Sequence, residues 1–324
     1  MVYSASTNYT STQDYHVPVM LMEVLNGLDE CFRGKSENNK MVVDCTAGGM
    51  GHSSQIAQKL CQGDKLICID KDIDAINLNR HKVQGCEARF VNDGFENITK
   101  ILNGDKADFI LADLGVSSFQ IDNASRGFSY MREGRLDMRM QQDATRDAWH
   151  VVNHYTQSRL EEIIREYGEE KHAKLIASGI VKARPIDTTT QLSKVITDAV
   201  PGGYYKTGGH PAKRTFQAIR IEVNRELDIL EQFVRDAVDC LKPDGRLAVI
   251  TFHSLEDRIV KQTLKELNTD CLCPPKTPRC ICGHTATVDI ITRKPILPTE
   301  HEMKINPRSI SAKLRIAQKK KGVA

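Results

Sequence analysis

The stretch Asp44-Cys45-Thr46-Ala47-Gly48-Gly49-Met50-Gly51-His52 follows an apolar run, Met41 to Asp44, and leads into a helical pattern. A glycine-rich turn between a strand and a helix sits at the carboxyl edge of an open α/β sheet, where such sheets bind ligands. Glycines let the backbone approach a ligand closely, and the free amides at the helix start hold a negative group such as a carboxylate. Asp70 closes the next apolar run, 21 residues after Gly49. A carboxylate there can accept hydrogen bonds from both hydroxyls of a ribose. This pairing serves nicotinamide and S-adenosylmethionine binders alike. The dinucleotide fingerprint wants a glycine or alanine at position 54, where Ser54 stands. Asp93-Gly94-Phe95 follows a third apolar run; its ring suits either the wall of an adenine pocket or the core.

The runs Met41–Asp44, Leu66–Asp70, Ala88–Val91 and Phe109–Leu114 alternate with helical patterns, which predicts an α/β fold with a doubly wound parallel sheet. The first 15 residues read as a disordered lead-in, and residues 122–213 as an inserted helical subdomain between two parts of the sheet domain, 16–121 and 214–324. Within the insertion, Leu160, Ile163, Ile164 and Tyr167 repeat at helical spacing, with Ser158 and Glu161 as a capping box. Leu192, Val195, Ile196 and Ala199 do the same. One long helix is expected to carry Val223, Leu227, Leu230, Val234, Val238 and Leu241 and to end at Pro243-Asp244-Gly245, before a strand from Leu247. Segments near Val288–Thr292 and Ser311–Ala317 read as an antiparallel edge pair.

Of 324 residues, 40% are hydrophobic, enough for a sizeable core. The longest apolar runs are strand-sized, so no membrane span is expected, and the N-terminus lacks a signal-type core; a cytoplasmic protein follows. The net charge of +3 says little by itself. Its distribution says more: Lys206, Lys213, Arg214, Arg220 and Arg225 cluster, and Lys313, Arg315, Lys319, Lys320 and Lys321 finish the chain, as phosphate contacts or as a solvated charged tail. Cys31, Cys45, Cys61, Cys68, Cys86 and Cys240 are scattered singly and read as reduced thiols. Cys271, Cys273, Cys280 and Cys282 are clustered. Structural zinc, with His284 as a spare ligand, is one reading; free or oxidation-sensitive thiols are the other.

Longer motifs identify a family. Leu111-Ala112-Asp113-Leu114-Gly115-Val116-Ser117-Ser118-Phe119-Gln120, Arg126-Gly127-Phe128-Ser129-Tyr130-Met131, Leu136-Asp137-Met138-Arg139-Met140, the run His210 to Arg220 and Phe252-His253-Ser254-Leu255-Glu256-Asp257-Arg258 closely resemble the 16S ribosomal RNA cytosine-N4 methyltransferase family. The match begins at His16-Val17-Pro18. The resemblance implies a class I, Rossmann-like methyltransferase sheet with a helical insertion, S-adenosylmethionine as methyl donor, and a cytidine in the decoding region of 16S ribosomal RNA or of the small subunit as target. Carried over by motif, the cofactor contacts are Met50, Gly51, His52, Asp70, Phe95, Asp113 and Gln120. Members commonly carry a glycine where this chain has Met50.

The chemistry needs an acceptor. The cytosine N4 lone pair is delocalised into the ring, so the amine must be pyramidalised while a sulfonium methyl is held in line behind it. Asp113, at a strand end, is the leading catalytic candidate, although it can also serve the cofactor alone. His253 and Glu256 compete for the role, against a reading in which His253 caps the next helix and Glu256 is a surface charge. Other amino-methyltransferases place Pro-Pro-aromatic where this chain has Asp-Leu-Gly-Val. Arg126, Arg139, Arg214 and Arg220 are candidate RNA contacts or structural ion pairs. The rival functions are a noncatalytic RNA-binding ribosome-assembly factor and a nicotinamide-dependent oxidoreductase.

Overall fold

The computed structural model describes residues 18–35, 39–202, 209–274, 277 and 279–322; the lead-in, His16-Val17 and Lys206 lie outside them. The described strands are β1 (Met41–Asp44), β2 (Lys65–Asp70), β3 (Glu87–Asn92), β4 (Ala107–Asp113), β5 (Leu241–Thr251), β6 (Val288–Ile290) and β7 (Lys313–Lys319). They form one sheet in the order β3-β2-β1-β4-β5-β7-β6. β1 to β5 pair in parallel, and β7 runs antiparallel to both β5 and β6. β1 and most of β4 are buried throughout, which is why they read as unbroken apolar runs rather than alternating ones.

Successive residues of these strands face opposite sides, and each side has its own core. Val43, Ile67 and Ile110 meet helices α4 (Ile98–Leu102), α11 (Leu230–Asp239) and α12 (Ser254–Leu267). Val42, Leu66, Phe109 and Leu111 meet α1 (Leu21–Phe32), α2 (Gly51–Ala57) and Ile76 of α3 (Ile73–Asn79). A third cluster lies beyond the sheet, where α5 (Ser118–Asp122) is followed by α6 (Ala148–His154), α7 (Gln157–Glu166), α8 (Ala173–Ala183), α9 (Thr189–Ala199) and α10 (Ala212–Asn224). Its apolar centre runs from Phe128 through Val151, Leu160, Ile176 and Ile196 to Phe216 and Val223. α13 (Glu300–Ile305) precedes β7. No helix among the described residues is long and apolar enough to cross a membrane.

Three local expectations are corrected. The long helix is two helices: α10 stops at Arg225, whose φ of 54° is left-handed, and α11 starts at Leu230. The apolar stripe continues across the break because Val223 belongs to the third cluster while Leu230, Val234 and Val238 belong to the sheet core. Leu241 already lies in β5, and Pro243-Asp244-Gly245 forms the irregular start of that strand, where its register against β4 shifts. A side chain at Gly245 would come within 3.0 Å of the Ala107 carbonyl oxygen. In α7 the cap is Thr156, whose side chain accepts from Arg159 N–H; Ser158 is already helical, so no Ser158–Glu161 box forms.

Candidate functional site

The parallel strand order reverses between β1 and β4, and the ends of β1, β2, β4 and β5 gather there. Asp44, closing β1, is fully sequestered: Oδ1 accepts from Thr46 N–H (3.1 Å) and Oδ2 from the Ser53 hydroxyl (2.6 Å). It therefore organises the turn rather than facing a ligand. Asp70 faces the turn from β2, accepting from Gly48 N–H at 2.7 Å and from Asp72 N–H at 2.8 Å. Burial pushes its carboxyl up to about 6 against the pull of those two amides. A carboxylate offers about four lone-pair sites, so two stay free for a pair of hydroxyls.

Gly48 adopts a left-handed φ of 44°, and the space where a Gly49 side chain would stand is empty. Gly51 is glycine for a different reason, since a Cβ there would lie 2.6 Å from Pro18. Met50 sits between them at φ 60°, its side chain 0% exposed within the α1–α2 core. A glycine would adopt that backbone conformation without strain. Here burial of a large side chain offsets the strain. Phe95 packs its ring on Phe233, with centroids 4.6 Å apart, and remains partly exposed beside Lys71.

Asp113 closes β4. Its N–H donates to Thr46 Oγ1 (2.7 Å), and Oδ2 lies 3.6 Å from His52 Nδ1. Its Oδ1 is buried without a hydrogen-bond partner. Burial first, then the charges of Asp44 and Glu256, raise its carboxyl well above the usual range. His52 Nε2 contacts the Val19 carbonyl at 3.0 Å, and burial lowers the imidazole's basicity, outweighing Asp44 and that contact. With Nε2 protonated, the Nδ1 lone pair faces Asp113.

At the end of β5, His253 caps α12: its Nδ1 accepts from Glu256 N–H, and Glu256 Oε2 accepts from Phe252 and His253 N–H. Glu256 is 2% exposed, so it is no surface charge. Burial works to raise its carboxyl, but the adjacent His253 ring, the charge of Arg220 and the Phe252 amide together hold it below the usual range. His253 Nε2 lies 3.1 Å from Glu256 Oε1 without hydrogen-bond geometry. Ligand atoms of Glu226, His253 and Glu256 all lie within 4.8 Å of one another.

Sequence reasoning missed Asp72. It is 1% exposed; Oδ1 caps α3, while Oδ2 accepts from Gln120 Nε2 (3.1 Å) and Arg126 Nη1 (2.5 Å). Gln120 and Arg126 are thereby tied to the turn between β2 and α3. The Asp72-Ile73-Asp74-Ala75 pattern signals such a cap, though not its second role. Arg139 pairs bidentately with Asp137, and Arg220 with Glu226. Arg214, half-exposed, donates to the Glu169 carbonyl. In the tail, Arg315 and Lys319 are buried in β7, Arg315 on Asp257 and Lys319 on the Asp239 carbonyl, so neither is a solvated charge. His284 Nε2 is engaged by the Glu266 carbonyl at 3.0 Å, and the group of mutually close ligand atoms holds the four cysteines without His284.

The turn, the Asp70 acceptor and the Phe95 ring offer free backbone space, a hydroxyl acceptor and an aromatic face, the groups that S-adenosylmethionine would call for in its amino-acid, ribose and adenine parts. Among solved structures, a putative methyltransferase from Streptococcus mutans in complex with SAH matches at 11% identity and a TM-score of 0.43, over 91% of this chain and 97% of that one. That likeness is too loose to carry an argument about the site. Sequence relatives are much nearer. "Ribosomal RNA small subunit methyltransferase H" from Clostridium botulinum (strain Kyoto / Type A2) is 48% identical over 311 residues, 94% of this chain and 98% of the relative. The protein of the same name from Finegoldia magna is 47% identical over 313 residues, with the same coverage. The MraW methylase family model matches residues 13–320. The chain belongs to the MraW methylase family.

Proposed function

We propose that this methylase transfers a methyl group from S-adenosylmethionine to the exocyclic N4 of a cytidine in the decoding region of 16S ribosomal RNA, in the cytoplasm where small subunits mature. The observation that carries the reading is Asp113 Oδ1, buried and unpartnered at the end of β4 beside the glycine turn. S-adenosylmethionine, when bound, supplies an electrophilic methyl on a positive sulfonium. Asp113 accepts a hydrogen bond from the amine and directs its lone pair to the methyl; as the N–C bond forms and the C–S bond breaks, the amine proton passes to the carboxylate. The environment that raises the Asp113 carboxyl makes the ionised form a stronger base, and the sulfonium charge favours that form. Thr46 Oγ1 holds the Asp113 backbone amide, and His52 Nδ1 lies beside the carboxyl. His253 and Glu256 fix the neighbouring helix start, and Glu256 with Asp44 adds to the burial that raises the Asp113 carboxyl.

RNA would approach over α12, where Arg258, Lys261, Gln262 and Lys265 line a groove, and over Arg214 on α10. Residues 16–121 with 214–324 are the cofactor part in this reading and 122–213 the substrate part, except that α10 crosses the 213/214 boundary and packs into the helical cluster, so it goes with the substrate side. No step of the reaction runs through the four-cysteine cluster. The test is transfer of labelled methyl from S-adenosylmethionine to small subunits lacking the modification, followed by nucleoside analysis. N4-methylated cytidine is the expected product. Label in another nucleoside, or none despite measured donor binding, would refute the acceptor.

A further inference from the structure

Between the end of α12 at Leu267 and the start of β6 at Val288, Ala286 is the one buried hydrophobic among the described residues. Leu272 and Ile281 are 46% and 83% exposed. What converges there is sulfur. The Sγ atoms of Cys271, Cys273, Cys280 and Cys282 all lie within 4.8 Å of one another. Cys271 and Cys280 are 3.5 Å apart, Cys280 and Cys282 3.5 Å, and Cys271 and Cys282 3.8 Å. A disulfide would require about 2.05 Å. Zinc–thiolate bonds of about 2.3 Å in a tetrahedron place neighbouring sulfurs about 3.8 Å apart.

Backbone donors point at the same sulfurs. Leu272 N–H reaches Cys282, Ile281 N–H reaches Cys273, and Cys273 N–H reaches Cys271, each at 3.4 Å. Two of these bonds cross between the two Cys-x-Cys segments, so each segment supplies amides to the other's thiols. Donors aimed at sulfur favour the thiolate, the form that ligates metal. A set of four sulfurs without nitrogen or oxygen selects zinc or iron over harder ions. We propose that Cys271, Cys273, Cys280 and Cys282 bind one zinc ion as a closed tetrathiolate, which fixes this loop where hydrophobic packing does not. The site is structural, with no open coordination position, and is independent of the methyl-transfer reading.

The experiment uses the untagged full-length chain, purified under reducing conditions. Elemental analysis should find about one zinc per chain. Cobalt substitution should give the absorption of a tetrahedral tetrathiolate. Cys280→Ser with Cys282→Ser should abolish both while S-adenosylmethionine binding persists. Should that variant fold poorly, the wild-type protein still decides: chelation should expose four additional reactive thiols and open tryptic cleavage at Arg279, and added zinc should reverse both. Protein that stays metal-free after zinc addition, with all four thiols freely reactive, would overturn the site. So would disulfides persisting under reductant. Iron in place of zinc would overturn the choice of ion.

Discussion

Replacing Arg126 with Met separates a structural arginine from an RNA contact. Its guanidinium donates to Asp72 Oδ2 at 2.5 Å and to the carbonyls of Arg139 and Met140 at 2.9 and 3.1 Å, with both members of the ion pair buried. Breaking a buried pair costs about 3–5 kcal/mol, because the remaining charge is left without compensation. Asp72 keeps the Gln120 amide and the two α3 cap amides, which places the cost at the lower end, about 3 kcal/mol. At about 1.5 °C per kcal/mol for a chain of this size, the midpoint of thermal unfolding should fall by about 4–5 °C. A phosphate contact would behave differently: stability would hold, and the slope of log affinity for RNA against log salt would shrink by about 1. Thermal unfolding and salt-titrated RNA binding, run on the same preparation, read both quantities. Asp72→Asn, alone and combined with Arg126→Met, completes a cycle in which the double variant should lose less than the sum of the singles. An unchanged melting temperature with a reduced salt slope would rule out the buried pair as its main role and return Arg126 to the RNA surface.

Asp113→Asn should lower kcat by about 10²–10⁴ while donor affinity stays within a few-fold, measured by single-turnover methylation and by calorimetry; the opposite split would make Asp113 a cofactor ligand only. Donor affinity should be flat at neutral pH and fall as pH drops through about 6, as Asp70 protonates and loses an acceptor site. Because its folded-state value is raised above the usual 3.8, Asp70 should make the ligand-free protein more stable as pH falls from about 6 toward 4, opposite to its effect on binding. The difference between wild type and Asp70→Asn isolates both trends, and identical pH profiles for the two proteins would contradict the assignment. Met50→Gly relieves about 1–2 kcal/mol of left-handed strain but deletes a buried side chain worth about 2–5 kcal/mol. Chemical denaturation should show a net loss, and a more stable variant would mean that the Met50 side chain adds nothing to the core.

How much of this was legible in the chain depended on whether the signal was local. The strands β1, β2 and β4 announce themselves because burial on both faces leaves unbroken apolar runs, and the glycine turn announces itself because left-handed φ at Gly48 and contact with Pro18 at Gly51 leave little choice of residue. The break at Arg225 did not, because periodicity reports that a face is apolar and not which core it meets. Val223 and Leu230 share a stripe yet serve different clusters. The arginines illustrate the same limit for charge. In sequence, Arg126, Arg139, Arg214 and Arg220 are equivalent cations near glycine-rich motifs. In space Arg126 finds Asp72, Arg139 finds Asp137 and Arg220 finds Glu226, leaving Arg214 the most open of the four. Asp72 gives that pairing a consequence for the site. Through Gln120 and Arg126 it joins the segment leading into the helical cluster to the strand whose Asp70 faces the cofactor turn, and its own amide holds Asp70 Oδ1. A displacement of Arg126 would therefore act on Asp72 and, through two peptide units, on the carboxylate expected to hold the ribose. Stability of the insertion and affinity for the donor are thus expected to respond together to changes at this one buried aspartate.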